Sequence, residues 1–164
     1  MSTTNSETFH ISTPTDREFV LTRQFNAPRE LVWDAWTKPE HVQKWWGCSE
    51  SEMTVCEIDL RVDGAWRYVI QMPGSGEFGF NGVFREVTPH ERLAHTSIYE
   101  PMPQYPSLVT VVLEERDGKT FMTQTTRHET TQARDGHLQS GVENGSRQSL
   151  DRLAAYVASL TLVA

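Results

Sequence analysis

The sequence predicts an α+β domain: a curved, seven-stranded antiparallel sheet around a long C-terminal helix, with two short helices after the first strand. Three observations carry this expectation. Apolar residues recur at every second position through most of residues 52–128. Turn residues (Gly, Pro, Asn, Asp) interrupt that region at short intervals, so consecutive strands pair as antiparallel neighbours. From Leu150 to Leu160 the spacing becomes helical, with Leu150, Leu153, Ala154, Val157 and Leu160 on one stripe.

Residues 18–25 alternate, with Phe19, Leu21 and Phe25 on one side. Pro28 suits a first helical turn, and Glu30 sits well near its positive end. Leu31, Val32, Ala35 and Trp36 then give one apolar stripe. Thr37 and Glu40, three apart, read as a capping box that opens a second short helix. Val42, Trp45 and Trp46 form its apolar face and Gly47 ends it. Adjacent helix positions cannot both face inward, so of Trp45 and Trp46 one ring packs and the other lines a pocket mouth or a partner surface.

The period then becomes two. Residues 53–62 form a strand, and Asp63-Gly64 is a hairpin signal. Trp66, Tyr68, Ile70 and Met72 share one face of the next strand, and the chain turns at 73–76. Phe78, Phe80, Gly82 and Phe84 share a face of the strand that follows. Asn81-Gly82 reads as a hairpin turn or as a bulge or close approach inside a long strand; continued alternation favours the second. Leu93, His95, Ser97 and Tyr99 share a face beyond the turn at 88–91, and Pro101, Pro103 and Pro106 stiffen the next loop. Residues 108–115 and 120–128 form a hairpin over Asp117-Gly118, with Met122, Gln124 and His128 on one face of its second strand.

The start of the terminal helix has two readings. In one, a single helix runs over residues 138–160. Its first half then presents a stripe of mostly small residues: Gly141, Val142, Gly145, Ser146 and Ser149. Glycine inside a helix costs about 1 kcal/mol against alanine, so it needs a reason. Room for a cavity under that half is such a reason. In the other reading the helix starts at Asn144 and residues 136–145 are loop.

The 164 residues fit one domain. Residues 1–16, rich in Ser and Thr, are expected to be a flexible tail with weak pairing at 9–11, leaving 17–164 as the domain. With 22 acidic against 15 basic residues the net charge is −7, which speaks against nucleic acid and against an anionic membrane surface as partners. There is neither a run of 18 apolar residues nor a basic start followed by an apolar block, and two cysteines eight apart suit a reducing compartment. Cytoplasm is the expected location. Cys48, Cys56 and the six histidines lack metal-ligand spacing. Neither a phosphate-binding glycine loop nor a nucleophile elbow occurs. No cofactor, metal or catalytic residue is therefore assigned.

Several segments together resemble one family. They are Pro28 to Trp36, Trp45-Trp46-Gly47, Asp63-Gly64-Ala65-Trp66-Arg67-Tyr68, and Phe80-Asn81-Gly82-Val83-Phe84-Arg85-Glu86-Val87. Pro89-His90-Glu91-Arg92-Leu93 and Ser149-Leu150-Asp151-Arg152-Leu153 complete the order. The family is the activator of heat shock protein 90 ATPase homologues, within the START-like (SRPBCC) superfamily, and the resemblance spans residues 17–160. It implies a helix-grip fold with a cavity between sheet and helix. The superfamily includes lipid and hormone binders, polyketide cyclases and co-chaperone domains. Two departures stand out. The family commonly carries an aromatic shortly after the helix glycine, where this chain has Gly145-Ser146-Arg147, which enlarges the expected cavity. The eukaryotic activator also has an N-terminal domain that contributes much of its chaperone contact, where this chain has sixteen residues rich in Ser and Thr.

The expected function is binding of a small hydrophobic or aromatic molecule in an internal cavity. Candidate ligand-binding residues are Trp36, Trp46, Trp66, Tyr68 and Phe80 among the aromatics. His95, Tyr99 and His128 join them from the strands, and Val142 and Ser146 from the terminal helix. The plainer readings are that the rings are core and the histidines partly exposed strand residues. The alternatives are a cavity enzyme of cyclase or hydrolase type that uses His95 or His128, and a chaperone-associated interaction protein. Homodimerisation through an open sheet edge stays as an expectation without a specific signal.

Overall fold

A computed structural model describes residues 8–47 and 50–163. Eight strands form one antiparallel sheet, in the order β1-β2-β8-β7-β6-β5-β4-β3. They are β1 (His10–Thr15), β2 (Glu18–Phe25), β3 (Glu52–Ile58), β4 (Ala65–Met72), β5 (Gly76–Thr88), β6 (Arg92–Tyr99), β7 (Ser107–Arg116) and β8 (Lys119–His128). Four helices complete the fold: α1 (Arg29–Thr37), α2 (Pro39–Val42), α3 (Thr131–Gln139) and α4 (Val142–Val163).

The strand beyond the expected seven is β1. Residues 10–15, expected within the tail, pair with β2 from His10 opposite Thr22 to Thr15 opposite Glu18. Little apolar periodicity announces this strand, because its side chains are mostly exposed. Pro14 suits an edge position and coincides with an irregular register between Ser12 and Thr15. Phe9 is buried in the core and anchors the segment.

The capping box does not form. Lys38 caps α2 without a side-chain bond, while the Thr37 hydroxyl donates back to Trp33 O at 2.8 Å. Pro39 at the first turn starts the helix instead. β3 also stops earlier than expected, at Ile58. The chain then crosses to β4 by a longer loop, with Asp63 N–H bonded to Phe84 O. Glycine at 64 is required there, since a Cβ would lie 2.0 Å from Asp59 O. β5 does run straight through Asn81-Gly82. Gly82 faces Thr96 O so closely that a Cβ would sit 1.9 Å from it.

Neither reading of the C-terminal region matches what forms. The chain builds two helices, broken at Ser140-Gly141, where Gly141 has φ +94°. Gly136 is inside α3 and Gly145 inside α4, so both lie in helix rather than loop. Downstream, Leu150, Leu153, Ala154 and Val157 are buried on the expected stripe. They pack in one core with Phe19, Leu21, Val32 and Trp45. Trp33, outside the expected stripe of α1, is also buried and meets the His90 ring edge-on at 6.2 Å.

Candidate functional site

The rest of the space between sheet and helices is a cavity of about 1380 Å³. Its walls follow from strand register, because residues two apart face the same side. On β4 and β5, Tyr68 stands opposite Phe80, and Phe80 opposite Tyr99 on β6. Trp46 closes this row, with its ring 5.1 Å from Tyr68 and 5.0 Å from Phe80, both edge-on. Trp66 continues the aromatic wall, 4.7 Å from Tyr68 and 5.2 Å from His95.

The other wall is polar. Ser97 on β6 faces Ser107 on β7, which faces His128 on β8. One step along, His95 faces Val109, which faces Thr126. Gln124 follows on β8. Among the described residues, the Gln124 amide and the Thr126 hydroxyl bond no protein partner, and both residues border the cavity. α3 crosses this end, and His128 Nε2 meets His137 Nδ1 at 2.9 Å. The described buried side-chain atoms without a partner are Trp36 Nε1 and His128 Nδ1, and both residues line the cavity.

The expected site residues all border this one space: Trp36, Trp46, Trp66, Tyr68 and Phe80, then His95, Tyr99, His128, Val142 and Ser146. Both adjacent tryptophans border the cavity: Trp45 is buried in the core and donates to Ala35 O at 2.9 Å, while Trp46 stays half-buried on the wall. Sequence reasoning did not assign α3 to the site, nor Gln124, Thr126, Ser97 and Ser107. The parity of β6 and β8 pointed at three of those four, but nothing local distinguishes an inward polar residue from an outward one. Gly141, counted on the small-residue stripe, is the helix break and not part of the wall. Gly145 does border the cavity, and a Cβ there would meet nothing within 4 Å.

The interior electrostatics are mild. Burial lowers His95 to about 4. Burial, reinforced by the neighbouring His128, lowers His137 to about 4, and burial lowers His128 as well. All three rings are therefore neutral near pH 7. Burial, and then the nearby Cys56, pushes Tyr68 well above the usual phenol range, so it too stays neutral. Cys56 is a half-buried thiol raised to about 11, by burial first and Glu40 second. Cys48 lies outside the described residues. No group of three or more His, Cys, Asp or Glu capable of holding a metal occurs among the described residues. The histidines also lack a carboxylate partner there: His95 Nδ1 bonds Thr96 O at 3.1 Å and His128 bonds His137. Among the described residues no helix is long and apolar enough to cross a membrane.

A curved antiparallel sheet closed by a long helix is the helix-grip architecture, and a family model matches residues 26–158. That family is the Activator of Hsp90 ATPase homolog 1-like proteins. The chain belongs to this family. Solved structures agree with the assignment. A protein from Rhodobacter sphaeroides superposes with a TM-score of 0.85 at 25% identity, over 93% of this chain and 99% of that one. A protein from Nitrosomonas europaea gives 0.83 at 27%, over 92% and 99%. A solution structure described as an AHSA1-like protein, from Aeromonas hydrophila, gives 0.67 at 24%, over 87% and 94%. This last likeness concerns the fold alone. The search of curated proteins found no match. Family membership therefore brings the START-like fold to this chain, while its chemistry rests on the residues around the cavity.

Proposed function

We propose that the protein binds a small hydrophobic or aromatic molecule in this cavity, with Trp46, Trp66, Tyr68 and Phe80 against its apolar body. The observation that carries the reading is the pairing of a large void with two unlike walls. One wall is aromatic, and the other offers hydrogen-bonding groups not spent on the protein. Protein interiors ordinarily pack with few voids larger than a water. Ligand pockets of roughly 300–1,000 Å³ are typical, and this space exceeds that. Small residues on α4 (Gly145, Ser146 and Ser149) leave the room open. The free thiol of Cys56 suits a reducing cytoplasmic setting, which is part of the proposal.

Native mass spectrometry of freshly purified protein and uptake of the uncharged dye Nile red test this reading. A co-purified small molecule, or dye uptake abolished by Ser146→Leu in a protein that still unfolds cooperatively, supports it. Absence of both a bound species and dye uptake by the unaltered protein would sink it.

A further inference from the structure

The cavity has a charge property that its size alone does not imply. No Lys or Arg lines it. The residues outside the described ones contain neither amino acid. The buried Arg23 is not part of the wall, and its guanidinium is held by Asp151 at 2.5 Å. Among the described residues the single charged one that lines it is Asp135, and Arg134 neutralises it at 2.7 Å. Helix N-termini attract anions, and each nearby one already carries a polar or acidic side chain of its own. Thr130 caps α3 through Ala133 N–H, and Glu143 occupies the first turn of α4. Of the three histidines of the cavity, His128 is buried and His95 and His137 are half-buried, and desolvation keeps all three neutral near pH 7.

An ionised carboxylate or phosphate taken into such a space loses its hydration and gains no opposite charge. A hydroxyl, carbonyl or amide loses far less, and the unspent groups on β8 satisfy it. Gln124 offers both a donor and acceptors, and Thr126 offers a hydroxyl. On the ligand-binding reading above, we infer that the cavity selects uncharged guests over anionic ones of the same shape, and that Gln124 and Thr126 receive the guest's polar group. A free fatty acid or an acidic lipid is therefore the wrong chemistry, and a neutral aromatic or polycyclic alcohol, ketone or amide is the right one.

Matched probes test this on the full chain at neutral pH. Pyrenebutanol and pyrenebutyrate share their ring system and linker and differ in the charge of one end. Pyrenebutanol should displace Nile red at a concentration at least about tenfold lower, since tenfold corresponds to only about 1.4 kcal/mol of the expected penalty. Thr126→Val, nearly isosteric, should weaken pyrenebutanol by about fivefold, the worth of one hydrogen bond, and leave unsubstituted pyrene unchanged. Gln124→Arg should shift the preference towards pyrenebutyrate by tenfold or more. Equal displacement by the two probes overturns charge selection while leaving ligand binding intact. Unchanged pyrenebutanol affinity in Thr126→Val overturns the assignment of the polar end. Absence of Nile red uptake overturns the ligand-binding reading, and this inference with it.

Discussion

His128 and His137 meet ring to ring where β8 joins α3, with 2.9 Å between His128 Nε2 and His137 Nδ1. Their planes are nearly perpendicular, and the Phe19 ring contacts both. In a bond between two neutral imidazoles one ring donates and the other accepts, so proton uptake by the acceptor ends it.

Acid should therefore weaken the fold. His95 and His137 are both lowered to about 4, by burial first, so the unfolded chain binds protons that the folded chain refuses. Their contribution is complete above the ordinary histidine value near 6.5 and is lost as pH falls towards 4. The loss reaches about 3 kcal/mol per ring once both have titrated. Urea unfolding across that interval should show stability rising with pH. His137→Gln keeps a partner for His128 and should flatten the rise, and a flat curve for the unaltered protein would contradict the burial argument.

Arg23 is buried on β2, and its ion pair with Asp151 ties that strand to α4. Burial lowers the Arg23 pKa and Asp151 raises it back. Replacing Asp151 by Asn leaves a buried cation without its counter-charge. Asp151 is itself partly exposed, so the loss is set below that of a fully buried pair, at about 2 kcal/mol. That corresponds to a fall of roughly 4–8 °C in Tm for a chain of this size, measurable by calorimetry.

Gly82 carries no side chain because the adjacent strand occupies the space. A Cβ would lie 1.9 Å from Thr96 O and 2.6 Å from Trp66 Nε1, which itself donates to Thr96 O at 3.0 Å. Gly82→Ala forces β5 and β6 apart and breaks the tryptophan bond. A cost of about 1–3 kcal/mol is expected, with a change in tryptophan emission. Unaltered stability and emission would show that the strands yield freely.

Two glycines near the start of α4 should respond with opposite signs to alanine. Gly145 lies within the helix, and a Cβ there meets nothing within 4 Å, so Gly145→Ala should stabilise by about 0.5–1 kcal/mol. Gly141 has an equally open surround but φ +94°, so Gly141→Ala should destabilise by about 1 kcal/mol or more. Chemical denaturation of the two variants side by side reads both signs.

Strand parity was legible in the sequence because side-chain alternation is a property of the local backbone. It placed Trp66 with Tyr68, His95 with Ser97 and Tyr99, and Gln124 with His128 on common faces, and the register places them so. The helical stripe from Leu150 to Val157 was equally legible, since 3.6-residue spacing writes a buried face directly into the chain. Two segments left no such trace. β1 is held by an edge ladder with few buried side chains, and α3 has no fully buried residue.

The sequence by itself determined which side chains share a face and where the chain turns. Only the tertiary structure decided which faces are filled. On β2, Phe25 packs solidly into the core, whereas Gln124 and Thr126 on neighbouring β8 border open space. That difference depends on how the sheet curves, where Gly141 breaks the helix and how far α3 and α4 stand from the strands. Each of these is set by contacts between residues distant in the chain, and the spacing of residues within one segment carries no record of them.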